Sequence, residues 1–176
     1  MTAGVRTQRV TAGTWAVSDS RTRITFTVSN LGRPVHGSVA CSWGEVEVDD
    51  QGTPVRVAAE LDLESLATGI ARRDSDLRKP RFLDIDRHPA MTWSADRFTG
   101  ADGVGWTAHG VLRVRGTSAP LAVSAAPVAG PDGTWLRVGA VAVLDRTAVG
   151  IRAPGFLVGR TVEIAVDAWL SRRRPG

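Results

Sequence analysis

Residues 55–64, VRVAAELDLE, decide the fold of this chain. Apolar and polar side chains alternate along the stretch. One side of it carries Val55, Val57, Ala59, Leu61 and Leu63, and the other carries Arg56, Ala58, Glu60, Asp62 and Glu64. A period of two residues predicts a β-strand with one dry face and one wet face.

The same alternation recurs on both sides of this strand. Gly, Pro, Asn and Asp separate the alternating segments, and these residues favour turns. The extended segments are 21–29, 35–48, 90–98, 104–115, 121–128, 135–145 and 161–170, and turns are predicted at 30–34, 49–52, 99–103, 116–120 and 131–133. The segment 35–48 is expected to kink at Gly37 or Gly44, as barrel corners require. The pattern predicts an all-β fold of about eight antiparallel strands, and sheets of that size usually close into a barrel.

One segment interrupts the β pattern. Residues 72–89, RRDSDLRKPRFLDIDRHP, are charged and contain two prolines. A helix is predicted from about Ile70 to Lys79, capped by Thr68 or Ser65 and ended by Pro80. The apolar residues that follow, Phe82, Leu83 and Ile85, predict that the segment packs down on the sheet. Residues 69–89 are therefore expected to form a short helix-and-loop cap on one mouth of the barrel.

Length and composition favour a single globular domain. The 176 residues include 43% hydrophobic residues, enough for a sizeable core. We expect a flexible N-terminus at 1–12, one barrel domain at 13–171 and a basic tail at 172–176. The 22 basic residues are scattered along the strands, and tyrosine is absent. Nucleic-acid binding is not expected, because bases are held by aromatic residues set in a basic groove.

Cysteine content and hydropathy suggest a compartment. Cys41 is the only cysteine, so no internal disulfide forms. The sequence contains no apolar run of 18 residues, so no membrane span is predicted. Residues 1–14 show no secretory signal. The sequence therefore predicts a cytoplasmic protein.

The predicted inward positions bear on function. An eight-stranded barrel is either filled by its side chains or left with room for one small ligand. Ala59, Ala95, Ala108 and Gly110 are small, which favours a cavity. Trp93 and Trp106 are large enough to fill the same space, so both interpretations stay open.

Three motifs carry a family resemblance. Residues 68–89, TGIARRDSDLRKPRFLDIDRHP, resemble the helix-and-loop signature of the YceI-like family of lipocalin-like polyisoprenoid-binding barrels. The strand 110–121, GVLRVRGTSAPL, resembles the Gly-x-Leu-x-x-Arg-Gly strand of that family, and 145–150, DRTAVG, resembles its late turn. The resemblance runs from about Gly13 to Leu170, with Trp15, Ser20 and Phe26 at its start. The chain departs from the family pattern at Asp76, where histidine is common, and at Leu83, where a second aromatic residue is frequent.

The resemblance implies an extended antiparallel barrel around a long apolar pocket for an isoprenoid or fatty-acid-like chain. It implies no catalytic machinery and no cofactor other than such a bound lipid. The candidate ligand-binding residues are Phe26, Leu61, Leu77, Phe82, Leu83, Trp93, Trp106, Leu112 and Val114. Each of them could equally be plain core, because a lipid site is made of ordinary core residues. Arg73, Asp74 and Arg78 are candidates for the lid, either as an ion pair that closes it or as a head-group clamp.

Other chemistries find weaker support. Asp84, Asp86 and His88 have ligand-type side chains, but they also suit turn positions, so metal binding is not expected. Cys41 is expected to be a buried structural thiol. Glycine-rich segments lack the Gly-Lys-Ser/Thr helix of a phosphate loop, and no residue set supports an enzyme.

Two functions remain. The first is a non-enzymatic carrier or sequestering barrel for an elongated apolar small molecule. The second is an interaction module whose barrel is filled by its own side chains and which pairs as a homodimer. The strand Trp135–Leu144 motivates the second, because it is apolar on both faces and so predicts a covered outer surface.

Overall fold

The computed structural model describes residues 10–101, 105–128, 134–152 and 158–174, and its strands form one closed antiparallel sheet. The elements are β1 (Gly13–Val17), β2 (Arg23–Asn30), β3 (Arg33–Val48), β4 (Pro54–Ala67), α1 (Ala71–Leu77), β5 (Ala90–Ala101), β6 (Gly105–Val114), β7 (Thr117–Val128), β8 (Trp135–Asp145), a 3₁₀ turn (Arg146–Val149) and β9 (Val158–Arg172). Each strand from β2 to β9 pairs with the next, and β9 pairs back with β2. The predicted eight-stranded antiparallel barrel with one short helix is confirmed.

The ninth strand, β1, was missed by the sequence pattern. It pairs with β3 through Gly13–Ala16 and with β9 through Trp15–Val17, at the end of the barrel remote from α1. The longer β2 pairs with the same two strands along the rest of their length. β1 and β2 therefore share one strand position in the barrel wall, between β3 and β9. Five residues in β1 are too few to establish an alternation.

Two hairpin turns are tighter than predicted. Leu31 and Gly32 form a two-residue turn with φ of 51° and 74°, and Asn30 pairs directly with Arg33. Arg115 and Gly116 do the same at the β6–β7 turn, with φ of 54° and 73°. Two consecutive positive φ angles match the right-handed twist of the strands that they join. The predicted turns 30–34 and 116–120 were therefore wrong in their extent, because residues 33–34 and 117–120 belong to strands.

The sequence predicts a kink at Gly37 or Gly44. The register between β3 and β4 shifts close to both glycines, between Ser38 and Ala40 and between Cys41 and Trp43. The two glycines serve close packing, because a Cβ on Gly37 would collide with the ring of Phe26 and one on Gly44 would lie 2.8 Å from Val17.

The helix is shorter than predicted and lacks the predicted cap. It begins after Ile70, which makes no side-chain capping hydrogen bond, and ends at Leu77. The Thr68 hydroxyl instead donates to the Asp74 carboxylate, and the Ser65 hydroxyl donates to the Asp62 carbonyl. Local hydrogen bonds to these neighbours compete with the capping role.

Among the described residues, the core includes two separate clusters inside the barrel. The capped-end cluster lies beside α1 and is built around Leu63, Leu83, Ile85, Leu112, Val114, Ala119, Leu121, Ala142, Leu144 and Val149. The far-end cluster is built around Trp15, Val48 and Leu170. The barrel is therefore packed at each end, and its middle belongs to neither cluster.

Candidate functional site

Small side chains line the middle of the barrel. We define the middle belt as Ala59, Ala95, Ala108, Gly110, Ala125 and Ala140, which lie on β4, β5, β6, β7 and β8. Their cross-strand partners connect them around the wall, because Ala95 pairs with Gly110 and Ala125 pairs with Ala140. Alternation along each strand turns all six residues inward. Small side chains at these six positions fill less of the interior than larger ones would.

Two aromatic rings near the belt lie flat against the wall. The Phe26 ring occupies the space over Gly37 on the neighbouring strand. The indole of Trp93 covers Gly110, where a Cβ would lie 2.5 Å from its Nε1. The Trp93 N–H donates to the Leu121 carbonyl at 3.0 Å. Glycine beneath a neighbouring aromatic ring recurs in β-barrels. Here it lets both rings pack against the wall.

Burial varies among the inward residues of the barrel. The inward residues of the capped-end cluster are almost inaccessible, and Leu63 is 1% exposed. In the belt, Ala95, Ala108 and Gly110 are buried as well. Other inward residues near or in the belt are only half-buried: Phe26, Ala59, Leu61, Trp93, Trp106, Ala125, Ala140 and Val166. An inward side chain that retains accessible surface is not fully covered by its neighbours. Among the residues that the structure describes, no charged side chain faces the middle of the barrel.

The capped end is closed by the segment between α1 and β5. Leu83 and Ile85 are buried in the capped-end cluster, and Leu77 packs against it. The Leu63 amide donates to the Pro89 carbonyl at 2.9 Å, which joins the end of the segment to β4. Arg115 donates to the Phe82 carbonyl from the β6–β7 turn. The segment is fastened on both sides and plugs this mouth.

The three candidate lid residues have separate partners. Asp74 accepts from the Thr68 amide at 2.9 Å and from the Thr68 hydroxyl, and Arg73 donates to the Thr68 hydroxyl and carbonyl at 2.7 and 3.0 Å. Arg78 pairs with Asp86 at 2.9 Å and lies 3.9 Å from Glu64 on β4. Thr68 is thus the centre of one hydrogen-bonded group, and Arg78 links the cap to the barrel wall.

The predicted ligand-binding residues fall into two groups. Phe26, Leu61, Trp93 and Trp106 are inward and half-buried near the middle belt. Leu83, Leu112 and Val114 are buried in the capped-end cluster, and Leu77 packs against it, as does Trp93 from its position beside the belt. Phe82 is half-buried beneath Arg81, whose guanidinium lies 4.8 Å from its ring centroid. The first group therefore lies near the middle of the barrel and the second at its capped end.

A cleft opens beside the cap. It has a volume of about 770 Å³ and lies between the β2–β3 turn and the start of α1. Asn30, Leu31, Arg33, Pro34, Val35, His36, Thr68, Ile70 and Arg73 line it. Val35 pairs with Val28 on the inner face of the barrel, so the cleft adjoins the inner wall at this mouth.

The buried Arg146 was not singled out by the sequence analysis. It is 4% exposed, and its guanidinium donates to the carbonyls of Ile151, Val158 and Gly159, each at 2.9 Å. These bonds hold the connection between β8 and β9 against the capped end. The motif DRTAVG contained the signal, because Asp145 caps the following 3₁₀ turn and Gly150 ends it with φ of 78°.

The residues considered for other chemistry have structural partners. Asp86 pairs with Arg78, and the buried Asp84 accepts from the amides of Arg87 and His88 through its carbonyl. Within the described ranges, no three His, Cys, Asp or Glu side chains converge as metal ligands. Cys41 is buried and its thiol donates to the Trp43 carbonyl. Burial raises the pKa of this thiol, which disfavours the reactive thiolate.

One further observation concerns membranes. Over the part of the chain that the structure describes, every helix is too short or too polar to cross a bilayer.

Comparison with protein families gives one match that covers most of the chain. The YceI-like domain matches residues 15–170, close to the span over which the motifs carried the resemblance. A search of curated proteins found no match to the chain.

Solved structures with the same fold are distant in sequence. Burkholderia cenocepacia BcnA superposes with a TM-score of 0.78 at 15% identity, covering 87% of this chain and 98% of that one. A polyisoprenoid-binding domain from Saccharophagus degradans, implicated in plant cell wall breakdown, gives 0.71 at 10% identity over 90% and 98%. The Campylobacter jejuni YCEI protein gives 0.63 at 15% identity over 78% and 82%. At these identities the likeness establishes the fold.

Proposed function

The chain belongs to the YceI-like family, and on that premise we propose that it binds an elongated apolar molecule inside its barrel without catalysing a reaction. An isoprenoid or fatty-acid-like chain is the ligand class that fits. The single observation that supports this is the set of small inward residues in the middle belt, three of which (Ala59, Ala125 and Ala140) are only half-buried although they lie between two packed clusters. The Saccharophagus domain with the same fold is described as polyisoprenoid-binding, which favours the same class.

The physical chemistry of the belt suits a hydrocarbon chain. Each methylene group removed from water contributes about 0.8 kcal/mol, so a long chain binds tightly with few polar contacts. The inward side chains of the belt are alanine and glycine, and the neighbouring Trp93 has its N–H already bonded to Leu121. A site without free donors or acceptors selects for apolar ligands and against polar ones.

Phe26, Leu61, Trp93 and Trp106 are proposed to contact the ligand, because each is inward and half-buried. Leu77, Phe82, Leu83, Leu112 and Val114 are proposed to form the closed end against which the chain stops. Arg73, Asp74 and Arg78 are proposed to hold the lid in place through Thr68, Asp86 and Glu64.

A direct test is to extract lipid from the purified protein and to record native mass spectra. We expect an apolar adduct, and we expect added isoprenoid or fatty-acid chains to raise the melting temperature of lipid-free protein. Absence of both the adduct and the shift would rule out the carrier function.

A matched pair of variants locates the ligand. Ala140→Leu fills the belt, whereas Ala126→Leu adds the same atoms on the exposed outer face of β7. If the belt is hollow, Ala140→Leu removes the adduct and leaves the free energy of unfolding within about 1 kcal/mol of the parent, since overpacking a filled interior would cost about 1–3 kcal/mol. Ala126→Leu is expected to keep the adduct. Loss of stability without loss of ligand in Ala140→Leu would place the ligand elsewhere.

A second candidate function is homodimerisation through the outer face of β8. Val141 and Val143 are 59% and 65% exposed, which is high for β-branched residues. Val141 lies between Ser124 and Ala165 on the neighbouring strands, and Val143 lies beside Glu163. Exposed apolar residues with a polar rim are typical of interaction sites. Sedimentation velocity tests the proposal, because a dimer that Val141→Ser with Val143→Ser dissociates would support it and a monomeric parent would contradict it.

A further inference from the structure

Two exposed apolar residues stand on opposite sides of the cleft beside the cap. Leu31, at the tip of the β2–β3 turn, is 67% exposed, and Ile70, just before α1, is 52% exposed. Both line the cleft together with Arg33 and Arg73. Two apolar residues and two cationic ones, Arg33 at the start of β3 and Arg73 in α1, therefore surround one opening at the mouth of the barrel.

Leu31 is a poor choice for its own turn. Its φ of 51° lies in the left-handed region, which asparagine and glycine tolerate far better than leucine does. Its side chain gains little from burial, because most of it faces solvent. Local backbone energetics do not explain leucine here, and an outlier of this kind points to a role outside the fold.

Ile70, on the other side of the cleft, is also unfavourable at its backbone position. It occupies the N-cap position of α1 and makes no side-chain capping hydrogen bond. Serine, threonine, aspartate and asparagine are the residues that stabilise this position, and isoleucine is among the worst. Its side chain is nevertheless exposed beside the cleft. Two independent departures from local preference thus place apolar groups at the same opening.

The charge around the opening is positive. The two segments that border it, 30–36 and 68–89, carry seven arginine and lysine residues against four aspartates. Asp76 pairs with Lys79, Asp86 with Arg78, Asp74 bonds Thr68, and Asp84 is buried. The aspartates are thus engaged locally or buried, while Arg33 and Arg72 are exposed. The net positive charge of these segments accounts for most of the formal charge of +4 of the chain.

We propose that this cleft mouth, defined by Leu31, Arg33 and Ile70 with the adjacent exposed Arg72, docks on the surface of an anionic lipid bilayer. Leu31 and Ile70 insert at the level of the head groups, and Arg33 and Arg72 pair with anionic phosphates. Exposed apolar side chains within a basic rim are the combination that interfacial binding uses. Docking would bring the opening next to the inner wall at Val35 into contact with lipid.

Vesicle co-flotation of the full chain tests the proposal. The probes are phosphatidylcholine vesicles and phosphatidylcholine vesicles containing about one third phosphatidylglycerol, an anionic fraction that gives a negative surface potential. We expect binding to the anionic vesicles that weakens as salt rises, and little binding to the neutral ones. Equal binding to both vesicle types, or none to either, would overturn the proposal.

The apolar half is tested by Leu31→Asn with Ile70→Ser. Both changes install residues that the local backbone prefers, so the double variant is expected to unfold at the same or a higher temperature. Its partition onto anionic vesicles should fall about tenfold, because two inserted apolar side chains are lost. Val111→Thr with Val128→Thr is the matched control, since it removes exposed apolar surface on the barrel side, and it should bind like the parent. Unchanged binding in Leu31→Asn with Ile70→Ser would overturn the proposal.

Arg33→Gln tests the electrostatic part of the proposal. It should lower the partition coefficient onto anionic vesicles about fivefold, as expected for one arginine near an anionic surface. Arg173→Gln with Arg174→Gln, at the opposite end of the barrel, should have little effect. If the tail variant abolishes binding and the cleft variants do not, the basic tail is the membrane contact. If the cleft variants change the sedimentation coefficient instead, the cleft joins copies of the chain. Either result would overturn the proposal.

Discussion

The capped end and the middle belt use the same eight strands but differ in how they are filled. At the capped end, leucine, isoleucine and valine from the wall meet Leu83 and Ile85 from the cap, and the interior is closed. In the belt, the inward positions of β4 to β8 carry alanine and glycine, and neither core cluster includes them. The cap closes one mouth, and the residues behind it are smaller than those that it meets.

The largest expected effect comes from a matched pair on β4. Leu63 is 1% exposed in the capped-end cluster, whereas Leu61, two residues earlier on the same face, is half-buried beside the belt. Leu63→Ala should lower the free energy of unfolding by about 4 kcal/mol, because it leaves a new cavity in a packed core. Leu61→Ala should lower it by only about 1–2 kcal/mol, because the removed atoms already border open space. Chemical denaturation measures both, and equal losses would show that the belt is as tightly packed as the capped end.

The next effect concerns Arg146, which secures the capped end from the side of β8 and β9. Arg146→Met keeps much of the side-chain volume but removes the donors to the carbonyls of Ile151, Val158 and Gly159. We expect a loss of about 3 kcal/mol in unfolding free energy, since buried acceptors lose charged donors. Arg160→Met, which removes an exposed pair with Asp145, should change stability by less than about 1 kcal/mol. A small effect of Arg146→Met would mean that the connection is held by other contacts.

Gly110→Ala tests the packing of the Trp93 indole on Gly110 in the belt. The new Cβ would lie 2.5 Å from Trp93 Nε1 and 2.6 Å from the Ser94 carbonyl, so the indole must lift off the wall. We expect destabilisation of about 1–3 kcal/mol and a change in tryptophan fluorescence as the indole enters the cavity. Gly139→Ala on β8, where an added Cβ meets no atom within 4 Å, is the control. An unchanged fluorescence spectrum in Gly110→Ala would contradict the position of Trp93.

The smallest effect is electrostatic and lies on the outer surface of β8 and β9. Arg137 binds Asp167 at 2.8 and 3.0 Å, and the hydrogen bonds and charge of Arg137 lower the pKa of Asp167. A depressed folded-state pKa adds stability above the unfolded pKa of about 4, and that stability is lost as pH falls through the folded pKa. Asp167→Asn should therefore unfold more easily than the parent at neutral pH, and the difference should shrink in acid. Thermal unfolding from pH 7 to 2 measures this, and a difference that grows in acid would reverse the sign.

The sequence pattern predicted the architecture better than its details. Alternation along 55–64 and its neighbours predicted strands and a closed sheet, because a period of two requires only one dry face per strand. It overestimated the turns at 30–34 and 116–120, because leucine and arginine at positive φ are not recognisable turn residues. It missed β1, whose five residues are stabilised by pairing with β3 and β9 and not by their own pattern.

The candidate site was predictable only in part. The small residues Ala59, Ala95, Ala108 and Gly110 were correctly expected to face inward, and Trp93 was left as either a filler or a pocket wall. The position of its indole depends on Gly110 one strand away and on the Leu121 carbonyl two strands away, which no local pattern reports. The role of Arg146 likewise depends on carbonyls up to thirteen residues further along the chain.

The order of polar and apolar residues by itself determined that this chain forms a barrel with a capped mouth, since alternation and helix-breaking prolines act over a few residues. Only the tertiary structure decided which inward side chains pack together and which stay half-buried. Packing depends on residues from strands far apart in sequence, and on whether a ring lies across the cavity or flat upon a glycine.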